Sequence, residues 1–254
     1  MKKLDSHNHM FNQENVLIPF STSALPSGPW LVFAPHADDE TFGMGGTLLR
    51  AKEQGIDTHL VVLTDGSKGG DAEDIVKTRL NEVKKASKIL GFKTLQCWGE
   101  RDRSLDASEI LVEKVSDLIL ELLPASVFFP GPLEIHPDHR ATALLVWNAI
   151  RRVVNSEIKL RALAYEIGVQ NPINLLINIT EQIPKKKEVM EVYVSQNQEN
   201  NYPELVLALN KGRTFSLPQS VRFAEGFFGY EAQDLNFSLE EVTHKIIKRY
   251  QRMG

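Results

Sequence analysis

Two short clusters of histidine and carboxylate residues contain the groups of this sequence that could carry out chemistry. The first cluster, residues 35–40, reads Pro-His-Ala-Asp-Asp-Glu, and the second, residues 134–139, reads Glu-Ile-His-Pro-Asp-His. Carboxylates packed this closely repel one another and shift each other's pKa values unless a cation neutralises them. Histidine and carboxylate side chains are also common ligands of divalent metals. The two clusters together therefore predict a metal site with further groups available for proton transfer.

Each cluster comes directly after an apolar run that is typical of a buried strand. The runs are Trp30–Pro35 and Ser126–Phe129, and each cluster leads into a helical pattern, over residues 41–54 and up to residue 154. Strands that alternate with helices predict an α/β fold with a mainly parallel, doubly wound sheet and helices on both faces. In the common strand order 3-2-1-4-5, the first and fourth strands are neighbours and a crevice opens above them. We therefore expect the two clusters to meet.

The rest of the chain supplies the other elements of such a sheet. Apolar runs predict strands at 59–64, 94–98, 160–168 and 175–179. Helical periodicity predicts helices at 72–90, from Ser104 or Asp106 to 123, and at 180–193, 203–211 and 238–252. The basic run 185–187, three lysines, is expected on a solvated helix face. Residues 1–28 are predicted to form an N-terminal arm, and residues 29–254 a single domain.

The spacing within and between the clusters indicates how a metal could be held. His36 and Asp39 are three residues apart, and His139 adds a second imidazole from across the crevice. Two imidazoles and one carboxylate form a typical catalytic Zn²⁺ site with a position left for water, and the same ligands suit Fe²⁺. Asp38 then remains as a candidate general base. His136 remains as a candidate to stabilise a developing oxyanion, and Asp138 could orient that histidine.

Composition excludes several other classes of function. A formal charge of −4 gives no electrostatic reason to expect nucleic acid or an anionic membrane as a partner. Cys97 is the single cysteine, so no intrachain disulfide can form, which fits a reducing compartment. No apolar run reaches the ~18 residues of a membrane span, and the N-terminus lacks the apolar core of a signal peptide. We therefore expect a cytoplasmic protein.

One alternative is a TIM-barrel metal-dependent amidohydrolase. Residues 5–9, Asp-Ser-His-Asn-His, resemble the Asp-x-His-x-His metal motif of those enzymes, and His7 and His9 would then bind the metal. The strand that should precede the motif is missing, because only four residues stand before it, two of them lysine. An exposed arm with two surface histidines is the favoured interpretation.

Two further alternatives involve nucleotide binding and a metal site without catalysis. The glycine-rich residues 65–70 lack the Gly-Lys-Ser/Thr order of a P-loop and are expected to form a surface loop or a lid. Gly43, Gly45 and Gly46 do not match the Gly-x-Gly-x-x-Gly fingerprint of a dehydrogenase, and small residues that let a helix approach a strand explain them better. A metal-binding protein without catalysis stays open.

The two clusters also resemble the signature motifs of a known family. Residues 35–40 and 136–140 look like the two motifs of the PIG-L/LmbE-like family of zinc-dependent N-acetylglucosaminyl deacetylases, except that Pro35 and Ala37 stand where the family usually has Ala and Pro. Neither of these two residues supplies a metal ligand. Further segments that resemble the family are Arg79-x-x-Glu82, Tyr165-Glu166, Tyr193-x-Ser195-Gln196 and Ala224-Glu225-Gly226-Phe227.

The resemblance implies a Rossmann-like fold and the removal of acetyl from an N-acetylated amino sugar, with a small amino-sugar conjugate as the substrate. It implies that zinc is bound by His36, Asp39 and His139, and that Asp38 is the general base. His136, paired with Asp138, would stabilise the oxyanion and could protonate the leaving amine. Arg79 and Asp102 stand where family members place sugar-contacting groups. Many members form oligomers, so a homo-oligomer stays open.

Overall fold

One mixed sheet is the centre of the computed structural model, which describes residues 17–71, 73–154 and 158–251. Its seven strands are β1 Trp30–Ala34, β2 Thr58–Thr64, β3 Thr94–Glu100, β4 Ser126–Pro130, β5 Arg161–Tyr165, β6 Leu175–Asn178 and β7 Ala224–Gly229. They lie in the order β3-β2-β1-β4-β5-β7-β6, which contains the predicted order 3-2-1-4-5.

The first five strands are parallel, whereas β7 pairs antiparallel with both β5 and β6. The prediction of a mainly parallel, doubly wound sheet is therefore confirmed. An open sheet of this order is not the closed eight-stranded barrel of the TIM-barrel alternative, whose motif at residues 5–9 lies outside the described residues. The apolar runs of the sequence did not predict β7.

Helices cover both faces of the sheet, as predicted. In the described part of the chain they are α1 Asp39–Glu53, α2 Ile75–Leu90, α3 Glu109–Leu122, α4 Pro137–Val154, α5 Ile183–Met190, α6 Val194–Asn197, α7 Tyr202–Gly212 and α8 Leu239–Gln251. Side chains of β1 alternate between two cores: Trp30 and Val32 belong to the core with α1, α2 and α5, and Leu31 and Phe33 to the core with α3, α4 and α8. No described helix combines the length and the apolar character that a membrane crossing requires.

Helix α1 is bent at Met44, whose φ of −141° and ψ of 20° are not helical. Glycines on either side of the bend allow close packing. A Cβ at Gly43 would lie 2.5 Å from the carbonyl oxygen of Glu166, and one at Gly46 would lie 2.7 Å from Ile179. The prediction that small residues bring this helix close to the sheet is confirmed at these two positions.

The prediction that the lysine run 185–187 lies on a solvated helix face is wrong at one position. Lys185 and Lys187 are exposed, but Lys186 has 0% exposure. The reason is that α5 packs against α1 with the face that also carries the buried Ile183 and Val189.

Substituting the glycines of α1 tests this packing. Gly43→Ala should lower the free energy of unfolding by about 1–3 kcal/mol, because the methyl group has no room beside the Glu166 carbonyl. Gly45→Ala is the matched control, since its nearest neighbour atom would be 3.6 Å away. The control should be neutral or stabilising by up to ~1 kcal/mol, the helix preference of Ala over Gly. Urea unfolding followed by circular dichroism measures both; equal losses would contradict the proposed packing.

Candidate functional site

The two sequence clusters meet above the neighbouring strands β1 and β4. These strands are parallel and in register, with Trp30 opposite Ser126 and Val32 opposite Phe128, so their carboxyl ends lie side by side. A cavity of about 650 Å³ opens there. Of the eight predicted site residues, all but the fully buried Asp138 line it: His36, Asp38, Asp39, Arg79, Asp102, His136 and His139.

The carboxylate of Asp39 lies between two imidazoles. Its Oδ2 atom is 3.1 Å from Nδ1 of His36 and 3.3 Å from Nε2 of His139. Two ligand atoms of a tetrahedral zinc site, with bonds of ~2.0–2.1 Å, are about 3.3 Å apart. Burial opposes the charged forms of all three groups. The imidazoles nevertheless hold the pKa of Asp39 well below its usual value, and neighbouring carboxylates raise the pKa of His139 to about 9 and that of His36 well above its usual value. The site therefore favours positive charge at this point.

The outer nitrogen of each imidazole faces a second carboxylate. Nε2 of His36 is 3.1 Å from Oδ2 of Asp138 and 3.3 Å from Oδ1 of Asp102. Nδ1 of His139 is 3.7 Å from Oε2 of Glu134 and has no hydrogen-bond partner among the described residues. Metal-binding histidines are commonly held in this way, by a carboxylate on the nitrogen that faces away from the metal. Sequence reasoning gave Glu134 no separate role, although it belongs to the second cluster.

His136 has a different environment. Its Nδ1 accepts the backbone N–H of Asp138 at 3.2 Å, which places the proton of a neutral ring on Nε2. Burial, together with the charges of His36 and His139, lowers the pKa of His136 to about 4, so the ring is neutral. A neutral ring with this tautomer presents an N–H donor and no free nitrogen lone pair.

The expected pairing of the Asp138 carboxylate with His136 is wrong. The carboxylate bonds instead to Nε2 of His36 and accepts the backbone N–H groups of Arg103 at 2.7 Å and Leu105 at 3.3 Å. The turn after β3 thus determines the direction of this side chain. The Asp138 carboxylate thus contacts a histidine other than the expected one.

Asp38, which precedes Asp39 in the chain, has a strained backbone conformation. Its φ of 139° is in the region that L-residues rarely adopt, at a cost of roughly 1–3 kcal/mol. The backbone N–H of Asp38 donates to Glu40 at 3.2 Å, and Nη2 of Arg79 donates to the Asp38 carboxylate at 3.2 Å. Burial raises the pKa of Asp38 to about 7, while the guanidinium of Arg79 acts in the opposite direction. Asp38 can therefore exchange a proton near neutral pH.

Arg79 and Asp102 face the cavity but are also bonded within the protein. Arg79 donates to the carbonyl of Ala37 at 3.1 Å as well as to Asp38, and Oδ2 of Asp102 accepts the backbone N–H of Lys68 at 2.8 Å. The glycine-rich residues 65–70, expected to form a surface loop or a lid, make a wall of the cavity through Lys68, Gly69 and Gly70. Contact of Arg79 and Asp102 with a sugar stays a prediction.

Aromatic and aliphatic side chains also line the cavity. Phe42 and Tyr202 stack with ring centroids 5.5 Å apart, and both line the cavity. Ile135, which directly precedes the second motif, is 75% exposed and also faces it.

Among the described residues, two groups of three or four side chains could hold a metal ion. In each group, every side chain offers one ligand atom that lies within 4.8 Å of the others. One group is His36, His136 and His139, and the other is His36, Asp102, His136 and Asp138. Of the predicted ligands, the first group contains His36 and His139 and the second contains only His36. Neither group contains Asp39, and both contain His136.

Comparisons with known proteins find relatives of this chain. A family model described as PIG-L, GlcNAc-PI de-N-acetylase, matches residues 31–150. The chain is 31% identical over 185 residues to a probable N-acetyl-alpha-D-glucosaminyl L-malate deacetylase 2 of Bacillus anthracis, covering 65% of this chain and 80% of that protein. It is 34% identical over 128 residues to a diacetylchitobiose deacetylase of Thermococcus kodakarensis, covering 47% of this chain and 48% of that one.

A solved structure shows the same fold over nearly the whole chain. The N,N'-diacetylchitobiose deacetylase of Pyrococcus horikoshii superposes with a TM-score of 0.73 at 21% identity, covering 94% of this chain and 98% of that one. The Rossmann-like α/β fold is therefore established. Together with the motifs and the Bacillus relative, these findings show that the chain belongs to the PIG-L/LmbE-like family of deacetylases.

Proposed function

We propose that this protein is a metal-dependent hydrolase that removes the acetyl group from an N-acetylated amino sugar. The observation that carries the proposal is the contact of one Asp39 oxygen with the inner nitrogens of His36 and His139, beside the separate carboxylate of Asp38. Relatives with about 30% identity are deacetylases of N-acetylglucosamine-containing compounds. The cavity of about 650 Å³ is in the range that encloses a small-molecule conjugate.

The proposed metal ligands are His36, Asp39 and His139. His136 is close enough to be a ligand, but its Nδ1 accepts a backbone N–H and its Nε2 carries the proton. The other two imidazoles each have an outer nitrogen facing a carboxylate, which leaves the inner nitrogen free to bind. Two imidazoles and one carboxylate fit Zn²⁺, the proposed metal, and also suit Fe²⁺.

Proton transfer is assigned to Asp38. When bound, a metal of this kind polarises the amide carbonyl and makes a water molecule more acidic. The Asp38 carboxylate would take the proton from the attacking water, and Arg79 orients this carboxylate and favours its ionised form through a 3.2 Å hydrogen bond. The strained backbone of Asp38, held by Glu40, fixes where that carboxylate lies.

His136 is assigned to the oxygen that becomes negative. Its Nε2–H, fixed as a donor by the bond at Nδ1, donates to this oxygen. The amine leaves with the proton returned by Asp38, since loss of the Nε2 proton would leave the neutral ring of His136 as an anion. Arg79 and Asp102 are proposed to contact the sugar, and Ile135 and Tyr202, which also line the cavity, are proposed to contact the rest of the conjugate.

Acetate release tests the activity directly. Zinc-loaded protein should release acetate from N-acetylglucosamine derivatives and conjugates, and chelator-treated protein should not until Zn²⁺ or Fe²⁺ is restored. The measurement is an enzymatic acetate assay over a panel of N-acetylated sugars and non-sugar amides. Metal binding without acetate release from any amide would support the non-catalytic alternative.

Asp38→Asn should keep the metal and lower kcat by ~10²–10⁴, the usual contribution of a general base. The amide side chain keeps the size and the contact to Arg79 but cannot take a proton. Kinetics and metal content are measured on the same preparation. Near-normal turnover would refute the assignment of Asp38 as the base.

His139→Ala and His136→Ala distinguish the possible ligand sets. His139→Ala should lose metal affinity, whereas His136→Ala should keep stoichiometric metal and lose turnover instead. Metal content after dialysis, measured by mass spectrometry, compares the two variants. Loss of metal in both would favour the set of three histidines.

A further inference from the structure

Lys186 and Glu225 form an ion pair that is completely buried beneath the bend of α1. Nζ of Lys186 lies 2.7 Å from Oε1 of Glu225, and both side chains have 0% exposure. Nζ also donates to the side-chain oxygen of Asn210 at 2.9 Å. Oε2 of Glu225 accepts the backbone N–H of Thr47 at 2.7 Å. Both charged groups are thus surrounded by hydrogen-bond partners.

The ion pair occupies the break in the helix. In a regular α-helix the N–H of Gly46 donates to the carbonyl of Phe42, four residues earlier. Met44 lies between them in a non-helical conformation. Nζ of Lys186 donates to the Phe42 carbonyl at 3.0 Å, and Oε1 of Glu225 accepts the Gly46 N–H at 2.8 Å. Lys186 therefore bonds to the carbonyl, and Glu225 to the N–H, that would pair with each other in a straight helix.

Stability alone does not account for such a pair. Burying two charges costs several kcal/mol per ion, and well-packed apolar residues in their place are often equally stable or more stable. Burial lowers the pKa of Lys186, against the opposing effect of Glu225, which reflects this desolvation cost. A straight α1 would satisfy the same backbone groups without any buried charge. What the pair adds is the direction of the first turn of the helix.

That first turn carries the reacting groups, because α1 begins at Asp39 and Asp38 directly precedes it. We infer that the Lys186–Glu225 pair positions Asp38 and Asp39 in the crevice by holding α1 bent at Met44. The inference rests on the proposed function for the roles of the two aspartates. The described residues that line the cavity do not include Lys186 or Glu225. They are positioning residues that act through the backbone of α1.

The test compares two variants with a matched control. Lys186→Met combined with Glu225→Leu removes both charges at similar side-chain size, and Lys186→Met combined with Glu225→Gln also removes both charges but keeps one acceptor oxygen in case the first double variant does not fold. Lys187→Met, an exposed neighbour in the same helix, is the control.

The first double variant should keep a Tm close to that of the wild type, because no unpaired charge stays buried. Its kcat should fall ~10²-fold, as for misplacement by 1 Å, and its Zn²⁺ affinity ~10–100-fold, with little change in KM. Lys186→Met with Glu225→Gln should show smaller losses in the same direction.

The readouts separate positioning from a purely structural role. A double variant with normal Tm, normal kcat and normal Zn²⁺ affinity in a chelator competition would overturn the inference. Its crystal structure should show Met44 with helical φ and ψ and Asp39 no longer in contact with both imidazoles. An unchanged bend and an unchanged Asp39 would overturn it as well. If the wild type releases no acetate, the proposed function fails, while the zinc titration and the structure of the variant still decide whether the pair positions Asp39.

Discussion

Charge balance in the crevice above β1 and β4 is the constraint on which the site depends. Asp38, Asp39 and Glu40 are consecutive, and none is more than 6% exposed. Burying one ionised carboxylate without a partner costs several kcal/mol, so three in a row require compensation. Each receives a different kind. Arg79 faces Asp38, two imidazoles face Asp39, and the hydroxyl groups of Thr41 and Tyr193 donate to Glu40, whose pKa is raised by burial.

These partners come from separate elements, and the sheet explains how they converge. Arg79 belongs to α2, which packs on the same face of the sheet as α1. His139 is in the first turn of α4, on the opposite face. Because β1 and β4 are adjacent and parallel, the helices that follow them begin at the same edge and approach the crevice from its two sides. The geometry of the site therefore follows from the packing of both cores.

The location of the site could be predicted from the sequence, but its internal pairing could not. His36 and His139 follow buried strands whose order is constrained by the rules for parallel sheets, and the structure brings both to Asp39 as expected. Which imidazole Asp138 contacts depends on the turn near Arg103, whose backbone N–H holds the carboxylate. Arg103 itself has a φ of 61°. Turn conformations of this kind leave no periodic pattern, so the contact with His36 was not predictable.

Two other errors, the missed strand β7 and the placement of Lys186, are connected in the structure. Strand β7 was missed because two glycines and a glutamate interrupt its apolar run. Lys186 was placed on a solvated face because two exposed lysines flank it. A signal existed at Lys186, since Ile183 and Val189 lie three residues before and after it, on the face that points to the core. Alternation within β7 places Glu225 on the same face as Phe227, which belongs to the core of α1. A lysine on an apolar helix face requires a buried acidic partner, and the missed strand supplies it. The two features that were not predicted, strand β7 and the buried Lys186, thus supply the two members of a single ion pair.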